Sequence, residues 1–251
     1  MKHEELIKLS LSGDALKAYT KLCDSCKDND EYTVGTSHEE EIILTPEELQ
    51  SLVGQIEDAV LEETEPQTIV EVLEREALLS RTLYLNDAVS MESIDYMIQL
   101  IHKWNRDDEG LTIEERQPIK IFFNTEGGEA YSGSALIGAI SNSKTPTHGI
   151  VEGGMCMSMG LMLWLSTSYR TVNRFSNILY HALRAGSDTR TLAEMKVVLE
   201  HYENMQNMMD ELILEKTSVP KNILEQKKNS NLDWHITFKE LKEYNFAHEY
   251  N

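Results

Sequence analysis

Apolar positions recur along this chain at two spacings, one helical and one extended. Leu6, Leu9, Ala15, Leu16, Tyr19 and Leu22 have the spacing of a helix over residues 1 to about 28, interrupted at Gly13. Residues 27–41 are polar, are punctuated by Gly35, and read as loop or linker. Thr45-Pro46-Glu47-Glu48 then supplies a capping hydroxyl, a proline at the first helical position and acids in the first turn. Leu49, Leu52, Val53, Ile56, Ala59 and Val60 follow on one face, and residues 62–66 end that helix.

From Glu71 the pattern becomes an alternation. Arg81 to Leu85 reads as a strand, and Ser90 opens a helix whose Ile94, Met97, Ile98, Ile101 and Trp104 share a face. A polar stretch, residues 105–118, leads into a buried strand at Ile119, and its Asp107-Asp108-Glu109-Gly110 segment reads as surface decoration. Helix-like Ser132 to Ile140, apolar runs at 148–151 and 161–165, and a strand from Asn177 to His181 come next. Residues 184–190 are polar and predict a mobile loop; Thr191 to Lys216 predicts a long methionine-rich helix, followed by shorter helices at 220–228 and 237–244. Strands alternating with helices predict an α/β fold, a parallel sheet with helices packed beside it. A helical extension over residues 1–70 precedes a main domain over 71–251.

Charge narrows the function classes. The 251 residues carry a net charge of −20. Residues 1–80 hold six Lys or Arg against twenty Asp or Glu, so the acidity is concentrated in the leader. Such a field repels phosphate backbones and argues against nucleic-acid binding. The leader reads as a solvated surface, with a docking or gating segment for a basic partner as the sharper alternative. No apolar run is long enough to cross a bilayer and the first ten residues lack a signal-peptide pattern, so no membrane association and a cytoplasmic location are expected. Cys23 and Cys26 have the spacing of half a zinc or redox site, which His3 and His38 could complete; two ordinary thiols are the expectation, with no metal and no cofactor.

Candidate chemistry centres on Gly153-Gly154-Met155-Cys156-Met157-Ser158-Met159-Gly160, which reads as strand, tight turn, helix. The glycines permit a bend closed to other residues. Ser158 then stands at the first turn of a helix, where free N–H groups and the helix dipole favour a developing oxyanion. A second glycine pair, Gly127-Gly128, ends the Ile119 strand, His181 ends the Asn177 strand, and Asp233 follows later. A serine hydroxyl becomes a nucleophile when an imidazole takes its proton, and a carboxylate holds that imidazole in the right tautomer. His235 is a rival base, and Asp188 and Asp210 are rival acids.

In order, spacing and local context these residues resemble the proteolytic subunit of the Clp protease (the ClpP family), with its strand-N-S-P-G-G, A-S-M-G, strand-M-I-H and D-R-F segments. The resemblance runs from about Glu71 to the C-terminus. It implies a ClpP/crotonase-like fold of repeated strand-strand-helix units. It also implies a serine endopeptidase with Ser158 as nucleophile, His181 as base, Asp233 as orienting acid, and the N–H groups of Gly128 and Met159 as oxyanion hole. Self-association into heptameric or double rings around peptide or unfolded-protein substrates is implied too, with Val197, Val198, Met205, Met208 and Leu212 of the long helix as ring-contact residues. An ATP-driven AAA+ unfoldase is the family's partner, although the acidic leader offers no clear counterpart of the family's pore segment. Departures are Glu126 for proline, whose side chain is expected to face solvent, Cys156-Met157 for two alanines, Ala182-Leu183 for Gln-Pro, and Asn245 for a turn glycine. Alternatives are a virus-encoded capsid maturation protease of the same family, an inactive ring-forming homologue with a structural or regulatory role, and a crotonase-type acyl-CoA enzyme. The last has no need of a Ser-His-Asp set.

Overall fold

Apolar residues at alternate positions of short strands turn one face of a sheet toward a layer of helices. The computed structural model describes residues 32–35, 41–44, 68–186 and 191–251. The chain falls into two compact units, residues 1–74 and 75–251. In the first, β1 (Tyr32–Gly35) pairs antiparallel with β2 (Glu41–Leu44), Tyr32 opposite Leu44. The stretch 27–41, expected as loop, therefore contains a strand; the aromatic and β-branched run Tyr32-Thr33-Val34 outweighs its polar flanks. The helices expected over residues 1–28 and from Thr45, and the Cys23/Cys26 pair, lie outside the described residues.

The boundary falls within α1 (Ile69–Leu79), and the chain goes on through β3 (Thr82–Leu85), α2 (Met91–Asp107), β4 (Ile119–Phe123), α3 (Ala130–Ser141) and β5 (Thr147–Val151). It continues through β6 (Gly154–Met157), α4 (Met159–Leu165), β7 (Tyr169–Val172), β8 (Ser176–Tyr180) and α5 (Leu192–Lys216). It ends with α6 (Lys221–Asn229), β9 (Trp234–Ile236), α7 (Phe238–Glu243) and β10 (Glu249–Tyr250). Five strands form one parallel sheet in the order β10-β7-β5-β4-β3. A smaller sheet, β6-β8-β9, pairs β6 with β8 in parallel and β8 with β9 antiparallel. The chain passes from the first sheet to the second between Val151 and Gly154, through two glycines with φ of 119° and 66°. This transfer puts the residue after β6 beside the end of β8.

Ile119, Ile121 and Phe123 of β4 point into the core, where Ile94, Ile101 and Trp104 of α2 meet them, while Lys120 between them is exposed. The α/β expectation holds. Every residue of α4 is buried, which is why its sequence is apolar all round. α2 and α5 start where the sequence places their caps: Ser90 accepts from Ser93 N–H, and Thr191 and Glu194 form a reciprocal capping box.

The Asp107–Gly110 segment is not decoration. Asp108 is 2% exposed. Arg81 grips it with both terminal nitrogens at 2.6 and 2.7 Å, and Thr145 Oγ1 donates to it at 2.6 Å. The hydrogen bond from Arg81 does most to hold the carboxyl below its ordinary range, against the opposing effect of burial. A second buried cation ties distant segments together: Arg170 donates to the carbonyls of Phe246, Thr167 and Lys216 at 2.8, 3.0 and 3.1 Å. Two of the expected ring-contact residues face inward instead. Met205 is buried, and Leu212 packs against the core of its own subunit.

Candidate active site

Ser158 joins β6 to α4 with φ 53° and ψ −120°, a backbone region that non-glycine residues avoid. A conformation of this kind costs about 1–3 kcal/mol and persists only where the surroundings enforce it. Four contacts do so here. The Ser158 N–H donates to Leu179 O at 2.9 Å, which extends the β6/β8 ladder into the turn. Thr125 N–H donates to Met155 O at 2.7 Å and Met157 N–H to Thr125 O at 3.1 Å, which stitch the incoming strand to the loop after β4. Gly127 lies against the turn so closely that a Cβ there would stand 2.7 Å from Ser158 Cβ and from Met157 O.

The second glycine of that pair serves a different contact. Gly128, at φ +151°, has its backbone against Val89, whose carbonyl a Cβ would approach to 2.3 Å. Val89 N–H bonds to Gly127 O and Glu129 N–H to Val89 O, leaving the Gly128 N–H between them without an acceptor among the described residues. The Met159 N–H, at the first helical position of α4, likewise has none. Both residues border a cleft of about 420 Å³ that Ser158, His181, Glu126 and Arg184 also line. Glu126, expected to face solvent, is exposed and stands at the rim of this cleft.

His181 follows β8 directly. Its Nδ1 lies 2.6 Å from Ala182 O. A carbonyl only accepts, so the proton sits on Nδ1 and Nε2 carries the free lone pair, an assignment read from the hydrogen-bond partner. This is the tautomer of a base. Ser158 and His181 share the cleft, but no hydrogen bond joins their side chains.

Asp233 is placed by register and diverted by a side chain. β8 and β9 pair Tyr180 with Trp234, so one step beyond the ladder His181 stands opposite Asp233. Yet the carboxylate forms an ion pair with Arg184, largely exposed, and lines a neighbouring cavity of about 640 Å³ together with His235. The structure thus brings Ser158, His181, Gly128 and Met159 to one cleft, and puts Asp233 beside it with its carboxylate on Arg184. His235, the rival base, opens onto the other cavity.

The rival acid Asp210 has a different task. It accepts from Tyr180 OH at 2.8 Å, from Gln206 Nε2 at 2.7 Å and from Lys228 Nζ at 2.6 Å. Burial, followed by the neighbouring carboxylate, pushes the Tyr180 phenol up, so it stays protonated and donates. Asp188 lies outside the described residues. Cys156, two residues before the serine, is fully buried, and burial raises its thiol well above the ordinary range. It is a packing residue and not a competing nucleophile.

Sequence reasoning misses Arg184, the Ala182 carbonyl, and the group formed by Tyr180, Gln206 and Asp210. The one available signal for the last is the i, i+4 spacing of Gln206 and Asp210 on a helix otherwise rich in methionine. Among the described residues no cluster of three or more His, Cys, Asp or Glu could hold a metal ion. No helix of the described residues is long and apolar enough to cross a membrane.

A family model for Clp protease matches residues 64–249. Among solved structures, a point variant of ClpP1 from Listeria monocytogenes is similar in fold, with a TM-score of 0.59 at 19% identity over 71% of this chain and 95% of that one. No curated protein matches.

Proposed function

Because the chain belongs to the Clp protease family, and so to a family of peptidases, we propose that it is a serine endopeptidase working through Ser158 and His181. One observation carries this reading: a serine on an enforced positive-φ turn, a histidine in the tautomer of a base, and two residues whose amides have no acceptor among the described residues line a single cleft.

The reaction follows from the positions. As Ser158 Oγ attacks a peptide carbonyl, His181 Nε2 takes its proton. The carbonyl oxygen gains negative charge and receives the N–H groups of Gly128 and Met159, two residues that line the cleft before any substrate arrives. The imidazolium returns the proton to the departing amine, and water, deprotonated by the same Nε2, releases the acyl group. Asp233 serves as the acid of the triad when its carboxylate leaves Arg184, for it already stands across from His181 at the end of the β8/β9 ladder. Until then the Ala182 carbonyl maintains the tautomer.

Assembly into rings belongs to the same reading. Leu192, Val197, Leu199 and Met208 of α5 are more than half exposed, a large apolar surface for one helix to leave in water. A second reading has its own support. The absence of a Ser158–His181 hydrogen bond and the diversion of Asp233 fit a catalytically silent, ring-forming homologue, although apo catalytic hydrogen bonds are commonly loose.

A fluorophosphonate probe separates the two. The endopeptidase is labelled at Ser158, and both the label and peptide hydrolysis disappear in Ser158→Ala, with a fall of roughly a thousandfold or more. A folded protein that takes no label is the silent homologue.

A further inference from the structure

The short segment that carries His181 is gripped at both ends by one buried polar group on α5. On the N-terminal side, Tyr180 OH donates to Asp210 Oδ1 at 2.8 Å. On the C-terminal side, Leu183 N–H donates to Gln206 Oε1 at 2.5 Å. The two anchors are joined, because Gln206 Nε2 donates to Asp210 Oδ1 at 2.7 Å and lies 3.2 Å from Tyr180 OH. Lys228 of α6 closes the group on the far side, with Nζ 2.6 Å from Asp210 Oδ2. Between the anchors lie only His181 and Ala182, the imidazole and the carbonyl that sets its tautomer.

We infer that Gln206 and Asp210 are positioning residues for the base. They touch neither His181 nor the cleft's reacting atoms. They hold the Tyr180 phenol and the Leu183 main-chain N–H, and so keep the Ala182 carbonyl against Nδ1 and Nε2 free of its proton. The inference rests on the reading of His181 as the base. Three features separate this group from an ordinary buried ion pair. Asp210 is only 8% exposed yet receives three donors, so its charge is fully engaged. Two of those donors, Tyr180 and Gln206, belong to or bond the histidine segment itself. The amide of Gln206 is used at both ends, oxygen to Leu183 and nitrogen to Asp210, which fixes its orientation. Because both residues sit on α5, the tautomer of the base depends on where that helix lies.

The test uses the full chain and two substitutions. Gln206→Ala removes the Leu183 anchor, and Tyr180→Phe removes the other while keeping the ring. Nitrogen spectra of the protein labelled with ¹⁵N-histidine, with His181 assigned by its loss in His181→Ala, read the tautomer without reference to activity. The native protein is expected to carry the His181 proton on Nδ1, and both variants to shift toward Nε2–H. In peptide hydrolysis kcat is expected to fall about tenfold or more with KM nearly unchanged. Folded variants with the native tautomer and native kcat overturn the inference and leave the group a structural one. Should Gln206→Ala fail to fold, Tyr180→Phe decides the matter by the same two readouts. Variants that lose the tautomer in a protein that takes no fluorophosphonate label would sink the hydrolase reading and leave only the anchoring of the His181 segment, whereas a labelled protein whose variants keep the tautomer would sink this inference alone.

Discussion

On one side of the cleft Ser158 is fixed by backbone: its own N–H completes a strand ladder, and a glycine packs flush against its Cβ. On the other side His181 is fixed by side chains reaching from α5, and Asp233 is held by an exposed arginine. Backbone contacts of the first kind form between segments that lie side by side in the sheet and tolerate few substitutions. Side-chain contacts of the second kind span tens of residues and can be exchanged one at a time. The nucleophile wall is therefore the rigid half of the site, and the base wall is the half open to adjustment.

The sharpest way to break this contrast is at Gly127. Gly127→Ala puts a methyl group 2.7 Å from Ser158 Cβ, at a φ of +97° that alanine resists. The expected result is a loss of roughly a hundredfold or more in peptide hydrolysis together with about 1–3 kcal/mol in folding stability, measured by urea unfolding. Native activity in this variant would mean that the turn is not held as tightly as its contacts imply.

Asp233→Asn probes the softer wall. The Ala182 carbonyl keeps the proton on Nδ1 in its absence, so hydrolysis should fall by roughly ten- to a hundredfold, well short of the loss in His181→Ala. Equal losses in the two variants would show the carbonyl to be an insufficient substitute for the carboxylate. Arg184→Ala is expected to matter least. Its side chain is 67% exposed, so breaking the pair should change stability by no more than about 0.5 kcal/mol. It frees Asp233 to face His181, and kcat should rise, more at low salt, where the ion pair is strongest. A fall in kcat would instead make Arg184 part of the working site.

How much of this is legible in the sequence depends on how local each feature is. The turn at Ser158 is visible because two glycines and an apolar helix flank it, and the start of α5 because Thr191 and Glu194 form a cap within four residues. β6 is concealed by its first residue, a glycine that reads as turn, and β9 by its length of three residues. Asp108 looks like part of an acidic loop because its partner, Arg81, lies 27 residues earlier. Tyr180, Gln206 and Asp210 leave almost no local trace, since contacts across 23 to 30 residues have no period to detect. Met205 and Leu212 are expected at a ring contact by resemblance to the family's long helix, and that resemblance does not say which stripe of the helix the subunit keeps for itself.

The bond from the Ser158 amide to Leu179 has a consequence for anyone seeking to block the cleft chemically. A warhead attached to that hydroxyl cannot drag its carrier residue aside, since the strand behind it acts as an anvil. Potency should therefore come from the opposite end of the molecule, from groups that wedge against Leu183 and Met209 and freeze the one wall able to give.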